Sequence, residues 1–139
     1  MGAVAVAQSP AAAPSPAANV IRVHYVGMSS DVGRAGCAIW SSPAGWPRHR
    51  EQAAQRAWAP ITNGSAVCDF PGLPPGTYAV ATFHDRDLTG SMTFNFIGLP
   101  TESYGFSNDA PVGLRPPSFQ AAGFAYSGGV LDITVHAKK

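Results

Sequence analysis

LPPGTYAVATFHDRDLTG, residues 73–90, is the stretch on which the fold turns. Pro74, Pro75 and Gly76 form a turn signal. Residues 78–84 then carry apolar side chains on both faces, the pattern of a central strand. At His84 the pattern breaks into an acidic loop carrying Asp85 and Asp87. Beyond it, about 30 residues up to Phe119 show little strand or helix periodicity. Loops that long inside a compact domain are usually functional or disordered. The run therefore indicates both the fold and where to look for a site.

Working outward, residues 20–26 alternate, with Ile21, Val23 and Tyr25 on one face and Arg22 and His24 on the other. This predicts a half-buried strand. Residues 29–33 read as a turn, 35–40 as a second strand and 42–48 as loop. Residues 50–57, REQAAQRA, are the one stretch with good helical composition. Residues 58–61 read as a short edge strand, because Pro60 lacks a ladder donor. Asn63-Gly64 is a hairpin turn signal, and residues 65–70 follow it as a strand. Residues 119–126 are expected to form a strand and 127–129 a hairpin turn. Residues 130–136 close the domain, with Leu131, Ile133 and Val135 inward and Asp132, Thr134 and His136 outward. The sum is an all-β antiparallel β-sandwich of about seven strands, with one short helix and a long ordered loop.

Composition agrees. The chain has 139 residues, enough for one domain with a single core. Gly (15) and Pro (13) favour short strands and turns over helices. The net charge of +1 argues against a nucleic-acid partner or an anionic membrane. No run of 18 apolar residues predicts a membrane span. Residues 1–19 read as a signal-peptide remnant or a disordered Ala/Pro linker. Ala5-Val6-Ala7 fits a cleavage pattern, and Pro10, Pro14 and Pro16 oppose helix. Residues 20–139 form the single domain. An extracytoplasmic location, periplasmic or secreted, is expected.

Cys37 and Cys68 each sit in a strand-like run. Together they suit a disulfide in an oxidising compartment; two separate buried thiols are the other reading. A metal site from two cysteines so far apart is disfavoured.

GTYAVATFHD, then GLPTESYGFSN, then RPPSFQAAGF resemble, in order, the bacterial domain-of-unknown-function family 2141. The resemblance covers roughly residues 20–135. It implies secretion and a transthyretin-like or carboxypeptidase-regulatory-like β-sandwich, and it implies little about activity. Cys37 and Cys68 match a paired-cysteine pattern of many members, which supports the disulfide.

Candidate chemistry gathers after the central strand. Asp85, Asp87, Thr89 and Gly90 follow the opening of a calcium loop, in which alternating oxygens converge on a hard cation. Ser91 would add a backbone carbonyl and Thr93 a weak contact, but Phe96 stands where a bidentate acid belongs. Family members resemble H-D-E-N-G-N-G-K-L-D here, so Thr89 and Thr93 depart from the pattern. Calcium is thus a possible cofactor. An acidic turn whose Asp bonds local amides is the competing reading. His84, Glu102, Tyr104, Asn108 and Asp109 are the candidate ligand surface of the 85–119 loop, although Tyr104 and Phe106 better suit a buried plug that pins the loop. His84 is a general base, a metal ligand or a partly buried histidine bonded to loop backbone. His24 and His136 would meet if their strands paired, and could then bind a transition metal. Trp40, Trp46 and Trp58 are either core residues or a glycan platform. No nucleophile elbow appears. The leading expectation is a non-enzymatic module that binds a divalent cation, a glycan or an envelope protein, or serves a structural role. The alternative is a small hydrolase using His84 with Asp85 or Glu102.

Overall fold

The computed structural model describes residues 19–90 and 102–138. The leader expected over residues 1–18, and Ser91, Thr93 and Phe96 of the expected calcium loop, lie outside the described residues. Eight strands are present among those described: β1 (Val20–Val26), β2 (Arg34–Trp40), β3 (Gln55–Ala59), β4 (Ala66–Pro71), β5 (Gly76–Asp85), β6 (Tyr104–Phe106), β7 (Phe124–Tyr126) and β8 (Val130–His136). They form two sheets. One has the order β4-β1-β8; the other has the order β3-β2-β5-β6, with β7 also paired to β5. The all-β expectation stands.

Alternation decides which side chains meet between the sheets. Ile21, Val23 and Tyr25 of β1 are fully buried there, against Cys37 and Ile39 of β2 and Val80 of β5. The Cys37–Cys68 disulfide links β2 to β4 and so crosses from one sheet to the other, with a Cα–Cα separation of 6.5 Å. As expected, β5 is central and buried over most of its length. Tyr78 enters the core directly after the Pro-Gly turn, and its hydroxyl donates to the Pro74 carbonyl. The opposite face of the second sheet carries another apolar cluster, built from Ala38, Trp40, Ala81, Phe83, Tyr104 and Phe106.

Several expectations need correction. Residues 50–57 are not a helix. Arg50–Gln52 make one 3₁₀ turn, and the chain enters β3 at Gln55. The Ala54 amide donates to the Ile39 carbonyl, and Arg56 and Trp58 then pair with Ala38 and Gly36. Trp58 packs edge-on against Phe83. Sheet pairing and aromatic packing outweigh a weak local preference for helix.

The 102–118 stretch contains β6, which pairs with β5 and buries Tyr104 and Phe106. The expected strand over 119–126 begins instead as the short helix α1 (Phe119–Ala122). Ser118 caps it by accepting from the Ala121 amide. Residues 127–129 do not close a hairpin, because β7 pairs with β5 whereas β8 pairs with β1. Asn63-Gly64 does form a two-residue turn closed by Thr62 and Ser65, yet β3 and β4 diverge into different sheets. Finally, β8 runs parallel to β1, so the sandwich is not wholly antiparallel.

Candidate functional site

The acidic turn is built around one carboxylate. Asp85 ends β5 with no exposed surface. Its Oδ1 accepts from the Thr89 amide at 2.9 Å and the Thr89 hydroxyl at 3.3 Å. Its Oδ2 accepts from the Gly90 amide at 3.0 Å and from Arg34 Nε at 3.0 Å. Burial pushes this carboxyl upward. The Gly90 amide, the Arg34 guanidinium and the Thr89 donors together outweigh it and hold Asp85 below the ordinary carboxylate value. Gly90 has φ +85°, which favours glycine, and Leu88 also holds a left-handed φ of 56°. The Asp85 bonds impose that turn. This is the acidic-turn arrangement, with both Asp85 oxygens engaged by the protein. Asp87 is exposed. Among the described residues, no group of three or more His, Cys, Asp or Glu is arranged to hold a metal ion.

The five proposed surface residues do not share a surface. His84 is fully buried, and its Nε2 donates to the Val32 carbonyl at 2.6 Å. Its Nδ1 is buried without a hydrogen-bond partner. Glu102 is buried and accepts from the Arg86 amide at 3.0 Å. Tyr104 lies in β6, packed into the outer-face cluster. Asn108 donates to the carbonyls of Ala121 and Gly123, tying the 3₁₀ turn after β6 to the end of α1. Asp109 accepts from the His136 amide and contacts the His136 ring at 2.7 Å. Burial raises the Asp109 carboxyl, but these His136 contacts and Lys138 hold it below its usual range. His24 contacts Asp132 at 2.8 Å. The β1–β8 pairing does bring His24 and His136 to one sheet, two register positions apart, but each faces its own carboxylate.

A feature the sequence reading did not single out lies beside the turn. An open pocket of about 530 Å³ is lined by Arg48, Arg50, Glu51, Arg56, Trp58 and Gly90. Trp40 is buried, whereas Trp58 is 41% exposed. The guanidinium carbons of Arg34 and Arg50 lie 3.7 Å and 4.7 Å from the Trp58 ring centre. That is cation–π range. Arg50 also reaches the Phe83 ring at 5.2 Å. Gly36 makes room beneath: a Cβ there would meet Phe83 Cε1 at 2.6 Å and Trp58 Cζ3 at 2.7 Å. The signal available in the sequence was Arg48, Arg50 and Arg56 close together in a chain with only 12% charged residues. Read as a helix, those arginines scatter around an axis. As a strand, Arg56 and Trp58 share a face.

A family model described as an uncharacterized protein conserved in bacteria (DUF2141) matches residues 23–134. No curated protein and no solved structure matches the chain.

Proposed function

The chain belongs to the DUF2141 family of bacterial proteins, and from that premise we propose that it is a periplasmic or secreted binding module without catalytic activity. Its ligand enters the arginine-lined pocket beside the Asp85–Gly90 turn. The observation that carries this reading is the contrast between two neighbouring places. His84 and Asp85, the residues a hydrolase would need, are buried and bonded to the fold. The adjoining pocket is open and falls within the size range of small-molecule sites. A small solute, the end group of a glycan or a side chain of an envelope protein fits that space. The Cys37–Cys68 bridge supports an oxidising compartment. Fractionation after blocking free thiols tests that location, and a reduced pair in the cytosol overturns it.

The functional test is a thermal-shift screen of neutral, anionic and cationic solutes, calcium included. It is run beside turnover assays on ester, phosphoester and glycoside substrates. We expect a stabilising solute whose effect is lost in Trp58→Ala, and no turnover. Turnover that disappears in His84→Gln replaces this reading with an enzyme. A calcium response abolished by Asp87→Asn moves the site to the turn.

A further inference from the structure

We propose that the Arg50 pocket binds an oxyanion group, such as a phosphate, a sulfate or a pair of carboxylates carried on a small ligand. The inference rests on the pocket being the binding site, and adds the charge of what enters it.

Four of the nine Lys and Arg residues of the chain, Arg34, Arg48, Arg50 and Arg56, surround this one place. Asp85 is engaged by Arg34 and its own turn, and Glu51 contacts His49 at 3.2 Å. Among the residues lining the pocket, three arginines stand beside one carboxylate, in a protein whose net charge is +1. An anionic ligand suits that imbalance.

Arg50 is the sharpest indication. One of its terminal nitrogens is buried with no hydrogen-bond partner. No carboxylate among the described residues forms an ion pair with it, and its guanidinium lies over Trp58 and Phe83. Burial, reinforced by the charges of Arg56 and Arg34 against the weaker pull of Asp85, brings it down to about 10. It therefore remains charged at neutral pH. A partly buried cation among like charges destabilises the empty protein unless something compensates it. An arginine nitrogen without a hydrogen-bond partner, beside an open pocket, is a candidate anion-binding group. Guanidinium forks match carboxylate and phosphate oxygens in pairs. The Trp58 ring, already faced by two arginines, acts as a wall that orients them rather than as a sugar platform.

The test uses the intact chain at low ionic strength, with inorganic phosphate, sulfate and malonate as probes. Chloride at matched ionic strength is the control. At least one dianion is expected to raise Tm by about 3 °C or more at millimolar concentration, with chloride inert. The three probes distinguish phosphate, sulfate and dicarboxylate sources. Arg50→Met is expected to raise the Tm of the unliganded protein while weakening the dianion by tenfold or more. A purely structural arginine would give the opposite change in Tm. Arg56→Gln alters an exposed residue on an edge strand. It should leave the unliganded Tm in place or raise it slightly, by easing the repulsion on Arg50, and weaken binding about fivefold. It carries the test if Arg50→Met does not fold. The proposal is overturned by a wild type indifferent to all three dianions, by an equal chloride effect, or by binding that survives both substitutions. A neutral solute whose effect needs Trp58, with no dianion response, removes the charge assignment alone and leaves the binding module standing.

Discussion

Asp85 shows how far a single carboxylate can organise a turn. Two amides, a hydroxyl and a guanidinium converge on it, and Arg34 is thereby held against Trp58. The direction of its pKa shift fixes a pH dependence. A carboxyl held below its unfolded value stabilises the fold fully above that value, and the contribution fades as pH falls through the folded one. Asp109, lowered by His136, contributes with the same sign. Thermal melts should therefore show Tm declining below about pH 4. Asp85→Asn should lose about 3 kcal/mol at neutral pH and flatten that acid limb. An acid limb identical to wild type would remove Asp85 from the account. The acid and the glycine of the turn were readable in the sequence, because an Asp a few residues before a Gly suits such a turn. Arg34 was not, since only the β2–β5 register sets it opposite Asp85.

β3 is the element on which local and tertiary preferences disagree most. Its composition favours helix, yet its alternation as a strand sends Ala57 and Ala59 toward the core and Arg56 and Trp58 toward the pocket. Short segments of Ala, Gln and Arg carry only weak helix preference, and one turn of helix is costly to nucleate. Edge pairing to β2 is therefore enough to convert it. Gly36 is the partner that makes this strand useful, because Trp58 and Phe83 close over its missing side chain. Gly36→Ala should cost about 1–3 kcal/mol by urea denaturation and displace Trp58. Dianion affinity should fall with it. Unchanged stability would mean that the rings move aside freely. β1, β4 and β8 were legible because their alternation is clean and one face is buried. α1 and β6 were not, because segments of three or four residues carry too little pattern to register.

At the scale of the whole molecule, the sandwich followed from turn spacing and alternation. Which strand joins which sheet did not, because that depends on contacts between distant segments. The disulfide illustrates the difference. Two cysteines in strand-like runs were visible, but that the bridge spans the two sheets is a property of the fold. In the chain-entropy model, closing that loop stabilises the domain by roughly 3–4 kcal/mol. The parallel contact of β1 with β8 has a mechanical consequence. Val20 lies beside Val130 and Val26 beside His136, so tension on the start of β1 and the end of β8 shears the seam and loads its whole ladder together. Val20 also lies beside Pro71, and pulling those two residues apart would unzip β1 from β4 bond by bond. Handles at residues 19 and 137 should give a clearly higher rupture force in single-molecule stretching than handles at 19 and 72. Equal forces would show that the β1–β8 seam bears no load. The Cys37–Cys68 bridge would keep the segment between those cysteines from paying out, so a module strained along this seam yields late and lengthens by less than its full chain.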